Sequence, residues 1–436
     1  MIYSKLQTVW ESIEYPFLQN SDGKELYFRQ LSNIKIDSID RIREGDVVAL
    51  IGDFDPETIA TLLILLEKGA IVVPLTIETR SQHSYFLQEA HCQHIFEKNK
   101  FKASLSTSQK SHRLLDSLRE LGHPGLILFT TGTTGRPKAI LHDFIPFIAR
   151  YGTPRPPLKA ISFLLFDHIG GLNTLFHMLF NQGQVVSLKE RTVEAVVNSL
   201  TRYSIQLLPT TPTFLRMMSL HPGIEKRIPI SLKIISYGTE RMDQPTLSRL
   251  CKQFPNIDFR QTYGMSELGI LRIKTKARDS LYMKVGGENI ETKVVEDILH
   301  IRAKNKMLGY LNANSPFDSN GWYCTKDIVD QIDGGYLKII GRDSEIINIG
   351  GLKFMPSEIE RECLKDSNVR HAKAVGKFNP ITGQHVELFL EVDRLVDPNE
   401  LKRSIMVKLK ESLPKYMVPS RVHIERLKIS HRFKKL

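Results

Sequence analysis

The residues from Leu126 to Ile140 constrain this chain more than any other stretch. They read as a short apolar strand, then a run of Thr, Gly, Arg and Pro, then Lys138 and a second apolar run. Gly132 and Gly135 let the backbone turn where a side chain would clash. Exposed N–H groups and the hydroxyls of Thr130, Thr131, Thr133 and Thr134 are then free to wrap an anion, and Lys138 adds a point charge. Such a loop suits the phosphates of a nucleotide. It is not a P-loop, because Lys138 does not directly follow the second glycine and the residues after it look like a strand, not a helix start. Without other signals it also reads as a polar hairpin turn.

The 436 residues are enough for a large core and more than one domain. With 41% hydrophobic and 25% charged residues, the composition is that of an ordinary globular protein. No window reads as a membrane span, since the apolar run from Ile59 to Leu66 is broken by Glu67 and Lys68. The N-terminus lacks a secretory pattern, and Cys92, Cys251, Cys324 and Cys363 lie far apart, so a reducing cytoplasm is the expected setting. The net charge of +12 is scattered, with denser groups only around 402–410 and at the C-terminus. That spread argues against a nucleic-acid surface and reads as a solvated one, with attraction of acidic partners such as nucleotides or carrier proteins as the alternative.

Val47 to Ile51 is a compact apolar run, and Asp55, Pro56 and Glu57 then mark a helix start reaching to about Glu67. Ile71–Val73 forms the next strand, so a strand–helix–strand unit and a parallel sheet are expected. Val193, Val196, Val197 and Leu200 keep helical spacing before a strand over Ile205–Leu208. Residues 105–122 carry no readable element. Pro356 and Glu358 open a helix, Val386 to Val392 alternates as a strand, and Leu401, Ile405, Met406, Leu409 and Leu413 mark a helix that Pro414 ends.

Several stretches together resemble the adenylate-forming superfamily, which holds acyl- and aryl-CoA synthetases, adenylation domains of peptide synthetases and firefly-type luciferases. Phe129 to Ala139 is similar to its signature loop, with Thr131 for the usual Ser and Ala139 for the usual Gly. Gln261 to Glu267 resembles its Tyr-Gly-x-Thr-Glu motif, and Gly321 to Asp327 its Gly-Trp-Phe-x-Thr-Gly-Asp motif, with Lys326 in place of Gly. Gly341 to Glu360 is similar to the segment leading into its small C-terminal domain.

The resemblance implies an α/β fold: a large N-terminal domain of mixed and parallel sheets flanked by helices, and a small mobile α+β domain. The boundaries it implies are 1–342 for the AMP-binding domain, 343–345 for a hinge at Ser344 and Glu345, and 346–436 for the small domain. ATP would be held by Thr130, Thr131, Gly132, Thr133, Thr134, Gly135, Lys138, Gly238, Tyr263, Ser266, Asp327 and Arg342. Glu267 is the implied catalytic Mg²⁺ ligand. His168, an implied catalytic residue, falls where acyl substrate and pantetheine meet, and Asp167 beside it could meet a substrate ammonium group, although a capped helix start also explains both. Gly350 and Gly351 fall on the thiol side. The family's C-terminal catalytic lysine aligns with Lys434 without a gap from Pro419, or with Lys428 if a deletion is allowed.

The implied activity is ATP-dependent activation of a carboxylic acid as its adenylate, with pyrophosphate release and transfer to a thiol. The thiol is that of CoA or of a carrier protein's phosphopantetheine. A stand-alone adenylation enzyme loading a carrier protein, and an ATP-binding homologue with impaired catalysis, remain as alternatives.

Overall fold

The computed structural model describes residues 2–20, 22–105, 112–130, 136–392, 397–426 and 430. Its fold is mixed α/β: two seven-stranded sheets and a six-stranded antiparallel sheet, followed by a small α+β region.

The first sheet begins with the strand–helix–strand unit read from the sequence. Val47–Ile51 and Ile71–Leu75 pair in parallel around the Pro56–Glu67 helix. Asp55 caps that helix through the Thr58 N–H, and Pro56 takes the first turn, where its missing donor costs nothing. Both strands are buried almost throughout, as a parallel sheet covered on both faces requires. Gly125–Phe129 continues the sheet in parallel, and Ala139–Asp143 returns antiparallel beside it. The signature stretch thus joins two antiparallel neighbours, the hairpin connection its sequence allowed, with residues 131–135 outside the described residues.

In the second sheet Leu207–Thr210, Ile234–Tyr237 and Asp258–Gln261 run parallel, with Thr210, Tyr237 and Gln261 in one row. The first of these strands starts and ends two residues later than Ile205–Leu208, the span expected from apolarity alone. Ile205 is buried, but its N–H closes the preceding helix on the Leu200 carbonyl. The stretch that carried no readable element contains the Arg113–Glu120 helix, which buries only Leu115 and Leu118.

From Ile347 onward the chain packs around a core of its own, including Ile359, Val369, Leu388, Ile405 and Val422. Val369–Asn379, Gly383–Val392 and Arg421–Ile424 form its sheet, with the Pro356–Leu364 and Pro398–Ser412 helices against it. No helix among the described residues is long and apolar enough to cross a membrane.

Candidate active site

The mouth of the signature loop is closed by its two ends. The Thr130 N–H donates to the Lys138 carbonyl at 3.1 Å, and the Lys138 N–H donates to Thr130 Oγ1 at 3.0 Å. Thr131, Gly132, Thr133, Thr134 and Gly135 lie outside the described residues. The far side of the loop is pinned by groups no motif pointed to. The Pro137 carbonyl accepts from Tyr85 Oη at 2.9 Å and Asn312 Nδ2 at 3.1 Å, and the Ala139 N–H donates to Asn312 Oδ1.

Lys138 Nζ sits 4.7 Å from the centre of the Tyr310 ring, a cation–π distance. The Tyr310 hydroxyl donates to Glu267 Oε1 at 2.6 Å. Burial first, and then the Glu267 charge, raise the tyrosine's pKa, so it stays a donor. Tyr323 is held protonated by the same two causes in the same order. The buried Glu267 carboxylate thus faces tyrosine hydroxyls, with the Lys138 ammonium one ring away. Ser266 contributes its backbone: its carbonyl accepts from His142 Nε2 at 2.7 Å, and burial pushes His142 down to about 4.

A second cluster lies on the six-stranded sheet. Antiparallel register sets Asp327 directly opposite Arg342, and Arg342 Nε reaches Asp327 Oδ1 at 3.2 Å. Tyr263 Oη donates to Asp327 Oδ2 at 2.6 Å, which anchors the hydroxyl end of that ring. Burial raises the Asp327 pKa and the Arg342 charge works against it. Each carboxylate oxygen accepts more than one hydrogen bond, so Asp327 keeps capacity for a ligand's hydroxyls. Lys326, beside it, holds φ at +59°, a left-handed conformation that glycine tolerates better.

Gly238 follows the Ile234–Tyr237 strand. A Cβ there would come within 2.1 Å of Thr262 Oγ1, so only glycine lets the two loops meet. They meet at the carboxyl ends of parallel strands, the edge where open α/β sheets take ligands.

His168 is the N-cap of the Ile169–Phe180 helix, its Nδ1 accepting from the Gly170 N–H at 3.0 Å. Asp167 is buried next to it, its Oδ2 3.5 Å from Thr76 Oγ1. Gly350 and Gly351 form the exposed two-residue turn between Ile347–Ile349 and Leu352–Phe354, both with positive φ. Asp343–Glu345 makes a single 3₁₀ turn containing Ser344, and Glu345 Oε2 accepts from the Arg342 N–H at 3.1 Å. Lys428 and Lys434 lie outside the described residues.

Two acidic centres, one near Lys138 and one beside Arg342, thus stand in a mixed α/β protein. Residues 40–311 match the family model of the AMP-binding enzymes, and the chain belongs to that adenylate-forming family. Among curated proteins it is similar to a 2-succinylbenzoate–CoA ligase of Bacillus velezensis, 24% identical over 92% of this chain and 89% of the relative. Two solved structures share its fold. An anthranilate CoA ligase in complex with anthranoyl-AMP has a TM-score of 0.82 at 16% identity, covering 100% of this chain and 94% of that one. An o-succinylbenzoate CoA synthetase from Bacillus subtilis in complex with its acyl-adenylate has a TM-score of 0.76 at 19% identity, covering 100% and 96%.

Proposed function

We propose that the protein is an AMP-forming acid–thiol ligase that activates an aryl or acyl carboxylic acid and passes it to the thiol of CoA. The observation that carries this reading is the pairing of the Lys138–Tyr310–Glu267 cluster with the Tyr263–Asp327–Arg342 cluster. The first suits phosphates and the second a ribose. The relatives that support an aryl acid act on 2-succinylbenzoate and anthranilate.

In the first step the substrate carboxylate attacks the α-phosphorus of ATP, a new acyl–phosphate bond forms, and the bond to pyrophosphate breaks. The protein's share is positioning and charge stabilisation. Thr130 and Lys138 meet the leaving phosphates, and Asp327 accepts from the ribose hydroxyls with Arg342 holding its orientation. Tyr263, anchored through its hydroxyl, offers its ring face to the adenine. Mg²⁺ fits as an ion carried in by the triphosphate and touched by Glu267. Among the described residues no cluster of three or more acids, histidines or cysteines is arranged to cage one. Bound there, it would neutralise charge building on the phosphates. In the second step the thiol attacks the acyl carbon and AMP leaves. Residues 346–436 serve as the moving domain, 343–345 as its hinge, Gly350 and Gly351 as the thiol-side turn, and Lys434 or Lys428 as the lysine at the reacting carboxylate. Asp167 and His168 sit on the acid side.

The deciding experiment is pyrophosphate release with MgATP across aryl, fatty and amino acids, with and without CoA. Release with one class and a thioester with CoA is the expected result. Release without a CoA thioester would transfer the acceptor role to a carrier protein, and no release with any acid would overturn the reading.

A further inference from the structure

Arg216 lies in the Pro212–Ser219 helix of the large part and is only 2% exposed. A guanidinium taken out of water must have its donors filled. Nη1 donates to Thr246 Oγ1 at 2.6 Å, in the neighbouring Gln244–Gln253 helix. The other contacts cross to the small C-terminal region. Nη2 donates to the Val369 carbonyl at 2.6 Å, and Nε donates to the Arg370 carbonyl. These two carbonyls open the first strand of the small sheet. Burial lowers the Arg216 pKa to about 10, so the group is still charged at neutral pH.

A second contact flanks it. Arg241 approaches Glu360 at 3.8 Å, and the other Glu360 oxygen accepts from the Ala374 N–H. The Gly350–Gly351 turn is at the opposite extreme. Its N–H groups bond within the small region, to the Thr382 carbonyl and Asn348 Oδ1, and a Cβ on either glycine would meet nothing within 4 Å. The docking that Arg216 secures therefore leaves the thiol-side turn in solvent.

We propose that Arg216 is a positioning residue that latches the small region onto the large part in the arrangement that forms the adenylate, and that it must let go before thiol transfer. This inference rests on the ligase reading above. The choice of partners suits a reversible latch. Backbone carbonyls are neutral, so parting leaves no stranded charge on the small region, and water takes over both sides. A buried carboxylate partner would resist release far more strongly.

The test uses the full chain with Arg216→Lys, which keeps the charge but loses the forked geometry, and Arg216→Ala. Losing one or two charge-assisted hydrogen bonds should slow pyrophosphate release about tenfold, with the KM for ATP little changed. Single-turnover transfer from preformed acyl-adenylate to CoA should keep its wild-type rate or rise. Limited proteolysis within residues 343–345 should become several-fold faster. If Arg216→Ala does not fold, Arg216→Lys and Glu360→Gln carry the same readouts. A parallel fall of both half-reactions, or unchanged cleavage at 343–345, would overturn the latch. A wild-type chain that releases no pyrophosphate would sink the ligase reading instead, and the cleavage rates would still decide the latch.

Discussion

The Asp327 cluster and the Gly350–Gly351 turn are both built on antiparallel strand pairs, yet they are finished in different ways. Register sets Asp327 and Arg342 face to face, and Tyr263 reaches in from a separate strand to complete the group. The turn is held by the Asn348 side chain and one neighbouring hairpin, and it stands in water. The first is organised before any ligand arrives, and the second waits for a partner. The proposed two-step ligase has a use for that division: a nucleotide site kept rigid through both steps, and a thiol-side element presented for only one.

Four measurements break or sharpen this contrast. The largest effect is expected on the nucleotide side, at His142. Its pKa is about 4 in the folded protein against 6.5 in an open chain, because burial disfavours the charged form. Below pH 6.5 the unfolded chain takes up a proton that the native chain refuses. Stability is therefore complete above that pH and is lost as pH falls toward 4, by about 3 kcal/mol at most. Urea midpoints across that window should show the loss, and His142→Gln should flatten it.

Next, Asp327→Asn removes the charge that Arg342 and Tyr263 share. The KM for ATP should rise about 10–100-fold, the worth of a hydrogen bond to a charged group. An unchanged KM would mean that the cluster is structural only. Third, Gly351→Ala strains a left-handed turn by roughly 1–2 kcal/mol. Thioester formation should fall while pyrophosphate release stays near wild type. Equal losses in both would erase the distinction between the two regions. The smallest effect is a gain. Lys326→Gly relieves a positive φ and should raise stability in a denaturant melt by about 0.5–1 kcal/mol net of glycine's own entropic cost.

Much of the site was legible because its motifs are short and local. Val47–Ile51, the Asp55-capped helix and the strand read at Ile71–Val73, which runs on to Leu75, follow from apolar runs and capping chemistry. The acids Glu267 and Asp327 stand out in motifs whose order along the chain carries the family resemblance. The same local reasoning fell short at the Arg113–Glu120 helix. Its two buried leucines make too narrow a stripe to show against a polar background. His168 turned out to cap a helix, a role the sequence already allowed.

What the sequence alone determined, then, is the family, the parallel strand–helix–strand start, and the motifs that carry Glu267 and Asp327. Only the tertiary structure decided what holds them. Tyr310 is 43 residues from the acid it binds, and Asn312 is 173 from the backbone N–H that it fixes. Arg216 spans 153 residues to reach the Val369 carbonyl. Spacing along a chain encodes neighbours one turn or one strand apart, because helical and strand periods are short. Partners joined across sheets and domains share no period, and they are found only when packing brings them within hydrogen-bond reach.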